Sequence, residues 1–460
     1  MRDTCLDVLN GKKHIHFIGI GGSGMFPLVQ ILHSQGYYIT GSDNNDGDTI
    51  EIERKMGIKV MMGQRAENIQ GADLIVYTAA ILPTNEELIA AKSSGVTVLE
   101  RSQLLGLVTS WFNDCICVCG THGKTTTTSM VTQILMEAGL DPSAVIGGKL
   151  PLIGGNGRVG KSDIMVCEAC EFVDTFLKLY PDIAVILNID ADHLDYFKTL
   201  DNIIKSFNKF AEMTTKTIIY NGDDANTVKA VKNVTGKKMI TFGFNEKNDY
   251  SPANIKQHKG ARASFELMHK GENLGLIELK VPGRHNVINA VAACAACIEA
   301  GVNAKQLASG IEHFKGAGRR FEILGEVNGV TIADDYAHHP AEVKATLETA
   351  QKMGYNKVWA VHQPFTYSRT AMLLDDFVNA LEVADEVVLS EIMGSREVNT
   401  YNIYTKDLAE KLDNCVWFDG FSEIAEYVMT HAQSGDLVIT LGCGDVYKCA
   451  KMMLNYSNKQ

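Results

Sequence analysis

Residues 115–128 constrain this chain more than any other stretch. Residues 115–119 form an apolar run of strand type, Gly120-Thr121-His122-Gly123-Lys124-Thr125 follows without a break, and residues 126–138 carry a helical pattern closed by Gly139. A buried strand that runs through a glycine turn into a helix is the context a phosphate loop requires. The glycines let the backbone fold closely round phosphate oxygens, and the helix start adds amide donors and a positive dipole end. Lys124 is then placed for the terminal phosphates, and the Thr125 hydroxyl for magnesium. The loop is shorter than the usual eight-residue form, because position 118, where that form begins with Gly, is Val. An ordinary glycine turn is the plainer alternative. It does not explain why four β-branched residues, Thr125 to Thr128, open the helix, where propensity alone would not place them. Nucleotide binding by Gly120, Thr121, His122, Gly123, Lys124, Thr125 and Thr126 is therefore expected.

The rest of the chain repeats the alternation. Residues 14–20, 37–40, 59–61 and 74–78 read as strands, with helices over 24–35 and 48–56 between the first of them. Apolar strands recur at 164–167 and 183–187. Residues 217–281 change character, with a hairpin of 263–268 and 276–281 about a turn at 270–273. An Ala-rich helix covers 286–300, and Gly316, Gly318 and Arg319-Arg320 mark a hinge-like break. Strands at 330–333, 358–361, 387–389 and 437–441 and a helix over 342–353 then resume the pattern. Strands alternating with helices indicate parallel sheets with crossover helices, so the expected class is α/β in three consecutive units. A chain of 460 residues has room for them.

Charge and cysteine usage narrow the partners. There are 43 Lys and Arg against 55 Asp and Glu, a formal charge of −12, so DNA or RNA is an unsuitable partner. Small anionic ligands remain compatible, since backbone amides can hold a phosphate on an acidic protein. Of 11 cysteines, Cys115, Cys117 and Cys119 alternate along one apolar run, and Cys294 and Cys297 lie in the Ala-rich helix. These read as small core residues in a reducing compartment. Zinc at Cys167-x-x-Cys170 or Cys294-x-x-Cys297 is disfavoured because neither motif has a suitably spaced second pair. Residues 1–10 lack the pattern of a secretory leader and no run approaches 18 apolar residues. A soluble cytoplasmic protein is the expectation, with no membrane partner.

Further chemistry sits at strand ends, where open α/β sheets gather their ligands. Glu168 ends the strand at 164–167, and Asp192-His193 follows the strand at 183–187, so Glu168 and His193 are expected beside the phosphate loop, within reach of magnesium on ATP. A solvated acidic loop with His193 capping a helix is the plainer reading of the second segment. Gly19-Ile20-Gly21-Gly22-Ser23-Gly24, with Asp43 ending the next strand, forms a G-x-G-x-x-G fingerprint that fits a diphosphate. The fragment alone does not separate NAD from a UDP-linked ligand. Asp334-Asp335-Tyr336-Ala337-His338-His339-Pro340 joins a strand to a helix, and adjacent His338 and His339 make a poor metal pair. Nucleotide or substrate binding stands there against plain helix capping. Thr366-Tyr367-Ser368-Arg369-Thr370 could set a guanidinium on an anionic substrate, but from these residues alone a surface helix start is the favoured reading.

Taken together, Gly120–Thr125, Asn188-x-x-x-Asp192-His193, Gly283-Arg-His285-Asn286-x-x-Asn289, Arg319-Arg320-Phe321-Glu322, Asp335-Tyr-Ala-His338-His339-Pro340 and Gly442-Cys-Gly444-Asp445 resemble the Mur ligase family. The resemblance runs along nearly the whole chain. It implies a Rossmann-like UDP-sugar domain over residues 1–106, a central P-loop-like ATP domain with a small β-rich part over 107–318, and a Rossmann-like C-terminal domain over 319–460. The branch it resembles most joins L-alanine to the lactyl carboxylate of UDP-N-acetylmuramate with ATP and Mg2+, through an acyl phosphate, in peptidoglycan precursor synthesis. By the same resemblance, Gly19, Gly21, Gly22, Ser23, Gly24 and Asp43 hold the UDP-sugar, and Asn286 and Asn289 meet the adenine end. Arg320 and Asp335 contact ATP, Thr125 and Glu168 hold one magnesium, and His193 ligates a second near the acyl phosphate. Apart from the resemblance, His338 is the candidate for the amine proton and Arg369 for an anionic substrate. A monomer or homodimer is expected, and the sequence does not choose between them.

Three motifs depart from the family pattern. His362-Gln-Pro-Phe365 exchanges the two rings of a usual Phe-Gln-Pro-His, Met393 replaces a Tyr in Ile392-Met-Gly-Ser-Arg396-Glu397, and Cys170 replaces an Asp in Glu168-Ala-Cys-Glu171. Competing functions are a relative that reattaches a recycled tripeptide to the same sugar nucleotide, an NAD-dependent oxidoreductase, and a non-catalytic ATP-binding module. The tripeptide ligase usually carries an aromatic-rich Asp-Lys-Arg segment that residues 172–180 lack. The oxidoreductase leaves the phosphate loop, Glu168 and His193 unexplained, and the intact set of Lys124, Thr125, Glu168 and His193 argues against a non-catalytic module.

Overall fold

The computed structural model describes residues 8–395 and 397–456. Arg396 and residues 1–7 of the amino-terminal stretch lie outside the described residues. Three sheets follow one another along the chain. The first contains β1 (His14–Ile18), β2 (Tyr38–Asp43), β3 (Lys59–Met62), β4 (Leu74–Tyr77) and β5 (Thr97–Glu100) in the order β3-β2-β1-β4-β5. Every pair is parallel. The order reverses beside β1, so the loop after β1 opens at the switch point of the sheet.

The second sheet is built on β6 (Asp114–Cys119), β7 (Ser143–Leu150), β8 (Gly155–Arg158), β9 (Ile164–Glu168), β10 (Ile183–Ile186), β11 (Thr217–Asn221) and β12 (Lys238–Phe242). It continues through β13 (Tyr250–His258), β14 (Arg262–His269) and β15 (Glu272–Glu278) to the order β15-β14-β13-β12-β11-β10-β6-β9-β7-β8. Cys115 to Cys119 of β6 are fully buried, as a strand covered by helices on both faces requires. Thiols are compact apolar fillers there, and the ten described cysteines are free. The hairpin turn is tighter than the sequence reading placed it: Lys270 and Gly271, both at positive φ, reverse the chain so that β15 starts at Glu272. Strand β8, Gly-Asn-Gly-Arg, has no apolar alternation to announce it. It pairs antiparallel with β7, and the helix Phe26–Ser34 lies so close that a Cβ at Gly157 would strike Pro27 at 2.7 Å.

The third sheet joins β16 (Glu322–Val327), β17 (Val330–Asp335), β18 (Val358–His362), β19 (Glu386–Ser390), β20 (Cys415–Phe418) and β21 (Leu437–Leu441) in the order β16-β17-β21-β18-β19-β20. Only β16 runs antiparallel to its neighbour. Side chains alternate between two cores, Val358 and Ala360 on one face, Trp359 and Val361 on the other. Each fully buried Val or Ile of this kind contributes about 1.5–3 kcal/mol.

The chain forms two compact units. The first holds the described residues up to Ser251 with Met268–Asn273 and Ala290–Ile311; the second holds Pro252–Leu267, Leu274–Asn289 and the described residues from Glu312 on. Among the described residues no helix is long and apolar enough to cross a membrane.

Candidate active site

The phosphate loop is held from below by the neighbouring strand end. Asn188, just after β10, accepts a hydrogen bond from the His122 amide at 2.7 Å and donates its side-chain amide to the His122 carbonyl at 3.0 Å. The Thr121 hydroxyl accepts from the Asp190 amide at 2.9 Å, and the His122 ring lies 3.4 Å from the Asp190 carboxylate. Gly120 passes so close that a Cβ would meet the Leu187 Cβ at 2.9 Å, and its φ of +141° suits glycine alone. Gly123, at φ +85°, then turns the chain into the helix Lys124–Glu137.

Lys124 is locked. Its ammonium donates to the carbonyl of Thr121 at 3.0 Å and to Glu171, whose two carboxylate oxygens lie at 3.0 and 2.9 Å. Burial is the largest single influence and lowers the Lys124 pKa, but the charges of Glu171, Cys170 and Glu168 and the hydrogen bond to Glu171 together exceed it, and the net shift is upward. The ammonium therefore stays charged at any physiological pH. Its neighbour Thr125 donates to Glu168 Oε1 at 3.0 Å, and the other Glu168 oxygen accepts from the Gly147 amide at 2.6 Å. Of the threonines that open the helix, Thr128 returns its hydroxyl to the Lys124 carbonyl at 2.8 Å, as Thr132 does one turn later to the Thr128 carbonyl at 2.8 Å.

His193 sits apart from that pair in its contacts. It precedes the short helix Leu194–Phe197 with φ +53°, lies 3.6 Å from the Asp192 carboxylate, and packs its ring at 4.6 Å from Phe172. Among the described residues no group of three His, Cys, Asp or Glu side chains is gathered for a metal ion. The segment between Glu168 and Phe176 carries local strain: Val173 and Asp174 both take left-handed φ, +53° and +56°. For a β-branched residue that is an outlier, at about 1–3 kcal/mol.

The first glycine loop is organised differently. Asp43 accepts from the Gly21 amide at 3.0 Å and from the Asn45 amide at 3.0 Å. The Ser23 carbonyl accepts from Asn156 at 2.6 Å. Gly19 turns at φ +80°, Gly22 bonds back to Gly19, and the helix begins at Phe26, just beyond Gly24.

The remaining residues named from sequence belong to the second unit. Asn286 and Asn289 are buried and joined, Asn289 donating to the Asn286 side chain at 3.0 Å. Asp335 accepts from the amides of Phe321 and Ala337, both at 2.7 Å. Burial raises its pKa to about 6 against the pull of Arg320 and those amides. Arg320 lies over the Tyr336 ring at 5.1 Å. His338 faces Glu342 at 3.4 Å, while His339 accepts from Ala341 and caps the helix Pro340–Gln351, so capping is what His339 does here. Arg369 lies in the helix Tyr367–Met372, which Thr366 caps by accepting from the Arg369 amide at 3.4 Å.

Two residues escaped the sequence reading as site residues. Asn188 was visible only as part of a motif, and Glu171 only as a second acid three places after Glu168. Neither position announces that one clamps the loop and the other holds the lysine.

The chain matches known proteins along its length. Residues 14–112 match the family model described as Mur ligase family, catalytic domain; residues 118–297 match Mur ligase middle domain; residues 319–444 match Mur ligase, glutamate ligase domain. The chain is 45% identical over 448 residues to the UDP-N-acetylmuramate–L-alanine ligase of Agathobacter rectalis, covering 96% of this chain and 97% of that one. It is 44% identical over 453 residues to the ligase of the same name from Caldanaerobacter subterraneus subsp. tengcongensis, covering 97% and 98%. The crystal structure of the UDP-N-acetylmuramate-alanine ligase of Thermotoga maritima superposes with a TM-score of 0.82 at 26% identity, covering 96% of this chain and 98% of that one. Three family regions in chain order, matched to relatives along almost the full length, leave one conclusion: this chain belongs to the Mur ligase family.

Proposed function

We propose that this chain is an ADP-forming ligase that joins L-alanine to the lactyl carboxylate of UDP-N-acetylmuramate. ATP phosphorylates the carboxylate, and the alanine amine displaces phosphate from the resulting acyl phosphate. A carboxylate resists amines because oxide is a poor leaving group, and phosphorylation supplies a good one. The observation that carries the reading is the pair of contacts at the helix start, Lys124 with Glu171 and Thr125 with Glu168. A fixed ammonium there meets the charge that builds on a transferring phosphoryl group, and preorganised charge of this kind is the main source of acceleration in phosphoryl transfer.

The donor set also suits magnesium. Thr125 and Glu168 are hard oxygen donors in mutual contact, and magnesium takes few protein ligands of that type. When bound, the ion would neutralise phosphate charge. In the same reading His193 serves the acyl end, Asp43 and the loop from Gly19 to Gly24 hold the uridine diphosphate, and Asn286, Asn289, Arg320 and Asp335 serve the nucleotide. His338 is assigned to the amine proton and Arg369 to the amino acid. The free cysteines suit the reducing cytoplasm.

The test is an ADP-release assay with each component omitted in turn. ADP should form at full rate only when UDP-N-acetylmuramate, ATP, magnesium and L-alanine are all present, with glycine, serine and the tripeptide slower. Preference for the tripeptide would move the chain to the recycling branch. ADP release indifferent to the sugar nucleotide would overturn the reading.

A further inference from the structure

The segment after Glu168 holds one aromatic ring that the chemistry above does not use. In the second sheet β6 lies between β9 and β10, so the loops that follow β9 and β10 flank the strand that carries the phosphate loop. Strands two apart are roughly 10 Å distant. Phe172, from the β9 loop, nevertheless packs its ring 4.6 Å from that of His193, from the β10 loop. The two side chains therefore reach toward each other across the end of β6.

This contact is held in place. Phe172 follows Glu171, which grips Lys124. Beyond it, Asp174 accepts from the Tyr196 hydroxyl at 2.8 Å and from the Ser206 hydroxyl. Phe176 is buried, stacked on Phe210 at 4.7 Å. Val173 and Asp174 between these anchors are the left-handed residues. Phe172 itself stays 37% exposed, a large apolar ring kept at the surface although its neighbours are pinned. Strain retained in this way needs surroundings that over-determine it, and such residues concentrate at functional sites.

Resting on the ligase reading, we propose that Phe172 is a further positioning residue: its ring orients the His193 imidazole and forms an apolar edge beside the activated carboxyl, so that an amine rather than water reaches it. The side reaction it suppresses is hydrolysis. Water oxygen bonds to the acyl carbon, the bond from that carbon to the phosphate oxygen breaks with its electron pair leaving on phosphate, and the carboxylate returns, so that ATP is spent without an amide. Water exclusion of this kind protects reactive intermediates.

The experiment compares wild type with Phe172→Ala, Phe172→Leu and Phe172→Tyr, measuring ADP and amide together. Wild type should give one amide per ADP. Phe172→Ala should lower the amide rate roughly 10-fold to 100-fold, release ADP in severalfold excess over amide, and keep releasing it when alanine is omitted. Phe172→Tyr should restore the coupling. In the ligand-free protein, Phe172→Ala should also move the NMR signals of the His193 ring, which a remote effect on folding would not do selectively. Thermal melts show whether Phe172→Ala folds; if it does not, Phe172→Leu, which keeps bulk but loses the flat face, must show the uncoupling. A folded variant that stays coupled, with unshifted His193 signals, overturns the assignment. A wild type that makes no ADP with the sugar nucleotide overturns the ligase reading instead.

Discussion

Two glycine loops in this molecule follow a strand and open a helix, yet they are built for different tasks. The loop after β1 offers mainly backbone, with Asp43 holding the Gly21 amide and no lysine within residues 19–24. The loop after β6 adds an ammonium and a hydroxyl at the first two helical positions, each held by its own carboxylate. The first arrangement can grip a diphosphate that stays intact. The second can stabilise charge that moves. The acids near the two loops differ in the same sense. Glu171 is buried against Lys124, whereas Glu53, buried one turn after Ile50 on the helix Asp48–Lys55, has no hydrogen-bond partner at either oxygen. Burial, with help from Asp43, raises the Glu53 pKa to about 8. Burial without a cation beside it thus favours the neutral form of the Glu53 carboxyl.

Lys124→Ala would break the contrast most sharply. ADP formation should fall roughly 1,000-fold, while calorimetry should find UDP-N-acetylmuramate bound as tightly as before; equal loss of both would mean that the loops do not divide the work. Asp43→Ala is the converse. Removing its bond to Gly21 should raise KM for the sugar nucleotide roughly 10-fold with little change in kcat, the signature of lost ground-state binding.

Glu53→Gln sharpens the comparison through pH. The folded protein keeps the Glu53 proton up to about pH 8, whereas the unfolded chain releases it near the ordinary value of 4.5. Between those values the folded state binds more protons, so this group's contribution is full at low pH and is lost as pH rises through about 8. The melting temperature of Glu53→Gln should therefore gain on wild type as pH is raised from 5 to 8.5. The smallest effect belongs to Val173→Gly, which keeps the left-handed backbone without its side-chain penalty and should add about 1 kcal/mol in a denaturant melt.

How far the sequence could be read follows the same physics. Buried parallel strands show themselves as unbroken apolar runs, and residues 115–119 stood out for that reason. Helix starts carry chemical marks, such as Pro340 after a capping histidine. Strand β8 carries none, because its Gly-Asn-Gly-Arg has no apolar alternation and its place comes from pairing with β7. Within the site, residue types conveyed Lys124, Thr125 and Glu168. Their partners depended on which strand lies beside which, and spacing in one dimension does not contain that. Glu171 reaches Lys124 because β9 pairs with β6, and Phe172 meets His193 because β10 flanks β6 on the other side.

The central claim is that the outer phosphate of ATP passes to a carboxylate of the sugar nucleotide before the amine arrives. Labelling both oxygens of the lactyl carboxylate with 18O tests it most directly. The account predicts one labelled oxygen in the inorganic phosphate released and the other in the new amide carbonyl. Inorganic phosphate free of label, with amide still formed, would contradict it.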